Sequence, residues 1–233
     1  MLMDIFSAFD PATSSLYTSS PSIIFWTTNL FLVILVSSSF WLSPNRLFQL
    51  SSLPMDTMFG QATRTSGIHL KGFSTILTAL FLMIIVVNLT GLIPYVFSAS
   101  SHLFFTLSLG LPIWFSLIMS GAAHNPTSFT ASLLPGGAPD WLNPFLVIIE
   151  TISITVRPIT LSFRLAANMS AGHIVLGLIG IYAAGAIFSS TTATITLFLI
   201  QILYIMFEMG ICLIQAYIFC LLLSLYADDH PTV

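Results

Sequence analysis

The chain has 233 residues, of which 56% are hydrophobic and only 6% charged, with a formal net charge of −3 and a mean hydropathy of +1.00. Ordinary soluble domains carry roughly 25% charged residues, so this composition argues against a soluble globular enzyme, and without a basic patch there is no surface for nucleic acid. Several apolar runs exceed 18 residues, and lipid offers the backbone no hydrogen-bond partners. The ten-residue alternating segments of a barrel do not occur. The expected fold is therefore an all-α polytopic membrane protein.

Residues 1–42 form the N-terminal region and first span. Asp4 and Asp10 stand there without any Lys or Arg, which fits neither a secretory signal nor an Arg-rich transit peptide. An organellar protein with this start is expected to be made inside the organelle. The run from Ser22 to Trp41 is about 20 residues, or roughly 30 Å of helix, with Trp26 and Trp41 near its ends as interfacial anchors. Residues 43–71 are mixed, interrupted by Pro54, and hold Arg46, Arg64 and Lys71. They predict an interfacial segment on the cytoplasmic or matrix-like side.

Runs from Gly72 to Phe97 and from His102 to Ala123, joined by SASS, predict a transmembrane hairpin over 72–123. Residues 124–142 are rich in Pro and Gly and read as an ordered loop. Two apolar stretches follow, from Asn143 to about Ala184 and from Thr191 to about Ala227. At roughly 55–60 Å as helix, each is about twice the hydrocarbon thickness. Each is either two spans folded at a hidden turn or one helix tilted near 60°, beyond the usual range of about 0–40°. The lack of a polar turn favours steep tilt, and that geometry needs a partner surface. The two stretches then form an antiparallel hairpin over 143–229 within a single membrane domain, 1–233.

Arg157 and Arg164 are two of only five Lys and Arg residues in the chain. Seven residues apart, they share a helical face. Arg157 lies near enough to an end to snorkel or to line a wet cavity. Arg164 has about twenty residues on either side and cannot reach an interface along its own helix; such a charge defaults to a functional role. In an antiparallel hairpin, residues at equal depth have a constant index sum. Glu150 with Asp229 gives 379, Arg164 with Gln215 gives 379, and His173 with Glu208 gives 381.

One register therefore sets a carboxylate pair, a central cation and a His–Glu pair at three depths. His exchanges protons near neutrality, whereas Arg keeps its proton. Two titratable clusters divided by a permanent cation look like two proton half-channels and a barrier. The alternative is one buried ion-pair network holding the hairpin together, although such pairs rarely repay their desolvation. Small residues at Ala166, Ala167, Ser170, Ala171 and Gly172 allow another helix to approach closely. Cys212 and Cys220 have no further ligands for a metal and read as packing residues. The sequons at Asn88 and Asn168 lie inside spans. His69, His102, His124 and His230 sit in or near loops and are assigned no role.

RLAANMSAGH (164–173), LVIIETIS (146–153), EMGICLIQAYIFCLLLSLY (208–226) and VVNLTGLIPYVF (86–97, with Asn88, Gly91 and Pro94) closely resemble subunit a of F-type ATP synthases. The similarity spans roughly residues 70 to 229. It implies that Arg164 is the family's essential arginine, facing the proton-carrying carboxylate of the rotating c-ring. It also implies that the two long helices lie along that ring. His173 and Glu208 match the half-channel open to the intermembrane space, Glu150 and Asp229 the matrix half-channel, and Asn168 and Gln215 polar neighbours of the arginine. His at 173 with Glu at 208 is the arrangement of mitochondrial members, which implies the mitochondrial inner membrane, with the c-ring, peripheral-stalk subunits, lipid and protons as partners. Arg157 departs from many animal members.

No metal or cofactor is implied. Without G-x-x-x-x-G-K-[ST] or another nucleotide cradle, ATP chemistry belongs to partner subunits, and this chain has no catalytic site of its own. A purely structural membrane subunit and an independent ion transporter are the competing readings. The transporter would carry its site in broken helices of related repeats, which these segments do not show.

Overall fold

In the computed structural model, which describes residue 9 and residues 22–37, 46–93, 96–134 and 140–230, every regular element is helical. Among the described residues the α-helices are α1 (Ser22–Ser37), α2 (Arg46–Ala62), α3 (Phe73–Gly91), α4 (Leu103–His124), α5 (Pro126–Ser132), α6 (Asn143–Ala186) and α7 (Thr191–Asp228). The helices α3, α4, α6 and α7 are long and apolar enough to cross a membrane. The chain is an all-α multi-pass membrane protein. Asp4, Asp10, Trp41 and Pro94, singled out above, lie outside the described residues.

Helix boundaries follow local chemistry. Gly72 precedes α3 at φ 79°, a left-handed conformation that favours glycine. The Asn125 side chain accepts from the Ser128 amide with Pro126 in the first turn, so a short helix forms inside the segment read as a loop. Residues 46–62 stay helical through Pro54, which has no N–H to give to the preceding turn.

The long stretches contain no hidden turn. α6 runs unbroken for 44 residues and α7 for 38, about 66 Å and 57 Å at 1.5 Å per residue. Pro158 sits inside α6, fully surrounded by protein. The Ser162 hydroxyl lies 2.9 Å from the Pro158 carbonyl and 3.3 Å from the Thr106 carbonyl of α4, giving this proline-disturbed turn a polar tie. Gly110 makes the approach possible, since a Cβ there would stand 2.9 Å from Ser162 Oγ.

The core lies where α3 meets α2 and α7, and where α6 meets α7 and α4. Leu77, Ile84, Leu161, Leu165, Phe219 and Leu223 fill it. At one end the Ser66 amide and hydroxyl donate to Asp228 at 2.6 and 2.8 Å, tying the 63–71 connection to the end of α7. Arg64 and Lys71 thus lie at the same end as Asp229. α1 is attached elsewhere: Asn29 donates to the Phe97 carbonyl at 3.1 Å, and Trp26 stands edge-on to Phe97. The outer faces of α6 and α7 remain apolar, with Ile148, Phe163, Phe198, Leu203, Met206 and Phe207 exposed.

Candidate functional site

α6 and α7 run antiparallel, and three contacts fix their register. Asn168 Nδ2 donates to Gln215 Oε1 at 3.0 Å, Cys212 Sγ lies 3.6 Å from Met169 Sδ, and the Glu208 carboxylate rests on Gly172. Their index sums are 383, 381 and 380. Along α6, Glu150 lies about 21 Å and His173 about 13 Å from Arg164, on opposite sides along the axis.

At the lower level, Arg157 joins the two carboxylates. Its Nη2 lies 3.3 Å from Glu150 Oε1 and its Nη1 3.2 Å from Asp229 Oδ2, while its guanidinium carbon stands 5.4 Å from the centre of the Tyr226 ring. Glu150 and Asp229 are thus brought together through a cation that the sequence left between snorkelling and a cavity. Glu150, Arg157 and Arg164 follow at intervals of seven, so all three lie along one slowly drifting stripe of α6. That spacing was the available signal for the Glu150–Arg157 bridge.

Arg164 stands apart from this network. It is exposed, and among the described residues it makes no ion pair or hydrogen bond. The adjoining residues of α6, Thr160, Phe163, Ala167 and Ala171, are exposed as well, and all but Thr160 are apolar. Gln215, placed opposite Arg164 by the sequence register, instead accepts from Asn168 one turn further along α6.

At the upper level, Glu208 is almost wholly buried, at 1% exposure. Glu208 Oε1 and His173 Nε2 are both buried without a hydrogen-bond partner among the described residues, and no direct bond joins the two side chains. The Phe9 ring meets the His173 ring edge-on at 6.2 Å. Gly172 is the residue that sequence reasoning treated only as small: its bare backbone provides the space the Glu208 carboxylate occupies. His173 follows Arg164 by nine residues, half a turn out of phase, so the two leave opposite sides of α6.

Asn88, one of the resemblance residues, is fully buried and donates to the Cys212 carbonyl at 3.5 Å, joining α3 to this level of α7. Cys212 and Cys220 are free thiols packed without exposure.

Chemically, the arrangement offers a partly exposed carboxylate–guanidinium cluster at one end and a buried, under-satisfied carboxylate and imidazole nearer the other. Between them stands an exposed cation that has no ion pair among the described residues. The family profile described as ATP synthase A chain matches residues 20–228. ATP synthase subunit a of Locusta migratoria is 38% identical over 234 residues, covering 98% of this chain and 99% of the relative. The Artemia franciscana protein of the same name is 39% identical, covering 98% and 100%, and that of Albinaria caerulea 36% identical, covering 99% and 100%. With the match running through every helix described above, the chain belongs to the ATP synthase A chain family.

Proposed function

We propose that this chain is the stationary proton-translocating subunit of a mitochondrial F-type ATP synthase, with two offset half-channels that load and unload a carboxylate on each subunit of a rotating c-ring. The observation that carries this reading is Arg164: a permanent cation on an exposed, largely apolar face, with no ion-pair partner among the described residues. Such a charge in lipid costs at least about 2.5–3.5 kcal/mol, so a partner carboxylate must cover it. The same face of α6 and α7 is the surface for the ring, and helices of this length lie along it at a steep tilt.

Protons enter at His173 and Glu208, neutralise a ring carboxylate and travel with the ring. When the protonated carboxyl reaches Arg164, the guanidinium favours its ionised form, and the proton leaves by Glu150 and Asp229. His173 and Arg164 leave opposite sides of α6, which supports wells displaced around the helix as well as along it. The basic residues beside Asp228 support placing the Glu150–Asp229 end on the matrix side of the inner membrane. Arg164 also keeps protons from passing directly between the wells. Each elementary charge crossing carries about 2.3 kcal/mol per 100 mV, which a direct leak would dissipate. Stalk subunits hold the chain against the ring's rotation.

Arg164→Ala in the assembled complex tests the reading. Proton-driven ATP synthesis is expected to vanish while the complex still assembles. Retained coupled synthesis would overturn the assignment.

A further inference from the structure

The Glu150–Asp229 cluster opens into a cleft of about 70 Å³ enclosed by α4, α5, α6 and the end of α7. Arg157, Asp229 and His230 line it, with Trp114, Leu117 and Tyr226 among its apolar walls. His230 is the group here that neither the sequence reading nor the bridge of Arg157 uses.

Its tautomer follows from its neighbours. The Ser120 hydroxyl donates to the Leu117 carbonyl at 2.8 Å, so its single proton is committed. The 3.1 Å contact between Ser120 Oγ and His230 Nε2 therefore has the imidazole N–H donating. In a neutral ring this leaves the lone pair on Nδ1, and Nδ1 is buried with no partner among the described residues. A buried basic nitrogen left open on a ring held firmly by its other nitrogen calls for an explanation.

The surrounding groups supply one. The exposed His124 on α4 has its ring 6.3 Å from that of His230. Arg157 of α6, Tyr226 of α7 and Asp229 just beyond it share the cleft, while the Asp228 carboxylate is held by Ser66.

We propose that His230 is the terminal proton acceptor of the Glu150–Asp229 outlet, an inference that rests on the proton-conducting function proposed above. Across the cleft that both side chains line, roomy enough for water, the O–H bond of protonated Asp229 breaks, a water passes a proton on, and an Nδ1–H bond forms, giving imidazolium and a free carboxylate. The imidazolium then gives the Nδ1 proton back to water in the cleft, from which it passes the exposed His124 to the bulk, and the neutral tautomer held by Ser120 is restored. No other reactant is needed.

The test uses the complete complex in liposomes at low buffer, with the outlet side titrated from about pH 6 to 8. His230→Gln keeps a donor for Ser120 but removes the titratable nitrogen. Proton flux is expected to fall by a factor on the order of 3 to 10, a modest share of the usual acid–base contribution, and imidazole added on the outlet side is expected to restore it. Unchanged flux across that pH range overturns the relay, and so does a loss that imidazole does not repair. Arg164→Ala serves in the same preparation: ATP-coupled proton pumping that survives there sinks the proton-conducting reading itself, whereas loss of coupled pumping in Arg164→Ala beside normal flux in His230→Gln sinks the relay alone.

Discussion

Gly172→Ala separates the stability of α6 from the position of the Glu208 carboxylate. A Cβ built on Gly172 stands 2.6 Å from Glu208 Oε2 and nearer still to Oε1, whereas ordinary contact begins at 3.4 Å. The carboxylate must therefore retreat by about 0.8 Å at Oε2 and by more at Oε1. The obstacle is the tip of a flexible side chain, so the retreat costs roughly 0.5–1.5 kcal/mol in side-chain strain. Alanine in place of glycine returns about 0.8–1.0 kcal/mol of helix stability. The two nearly cancel, and the complex is expected to assemble normally. Function does not share in that cancellation, because misplacing a reacting group by about 1 Å can cost up to roughly 10²-fold in rate. The assay compares complex content by native electrophoresis with ATP-driven proton pumping in liposomes. Pumping is expected to fall by at least tenfold at unchanged content, and Glu208→Asp on the Gly172→Ala background to recover part of it. Full pumping in the single variant would refute the argument that Glu208 must sit where glycine leaves room.

Glu208→Gln keeps the shape of the buried carboxylate but cannot exchange a proton at neutral pH, so proton flux is expected to drop severely with assembly intact; wild-type flux would remove Glu208 from the path. Arg157→Gln breaks two partly exposed ion pairs worth about 0.2–1 kcal/mol each. It is expected to lower thermal stability only slightly while reducing flux several-fold, and unchanged flux would leave Arg157 as packing alone. Ser66→Ala removes one of two donors to Asp228, leaving the backbone amide. It is expected to cost about 0.5–1.5 kcal/mol in a thermal melt without altering flux. Gly110→Leu drives a side chain into Ser162 and Pro158 where α4 and α6 touch, and loss of assembled complex is the expected result.

The depth order of the polar residues was legible because antiparallel helices impose a constant index sum. Contacts at 168 with 215, 169 with 212 and 172 with 208 fall within a turn of the sums read from the sequence. The continuity of α6 was legible in its lack of polar turn residues, although Pro158 argued the other way. What stayed hidden depends on side-chain direction rather than on position. Arg157 and Arg164 share a stripe, yet one turns back to two carboxylates and the other stays outward. Sequence spacing cannot say that the Asn168 amide reaches Gln215 before Arg164 does. The helix α5 carried its signal in Asn125 and Pro126, but the Gly and Pro that follow outweighed it. His230 looked like a loop histidine because its tautomer is set by Ser120, 110 residues earlier in the chain.

A density map of the assembled complex addresses the central reading most directly, through the distance from the Arg164 guanidinium to the nearest carboxylate of the neighbouring ring. The account predicts a ring carboxylate passing within about 4–6 Å, close enough to be held ionised, with the outer face of α6 and α7 covered by ring helices. An Arg164 side chain directed into headgroups, or a face open to lipid along its whole length, would contradict it.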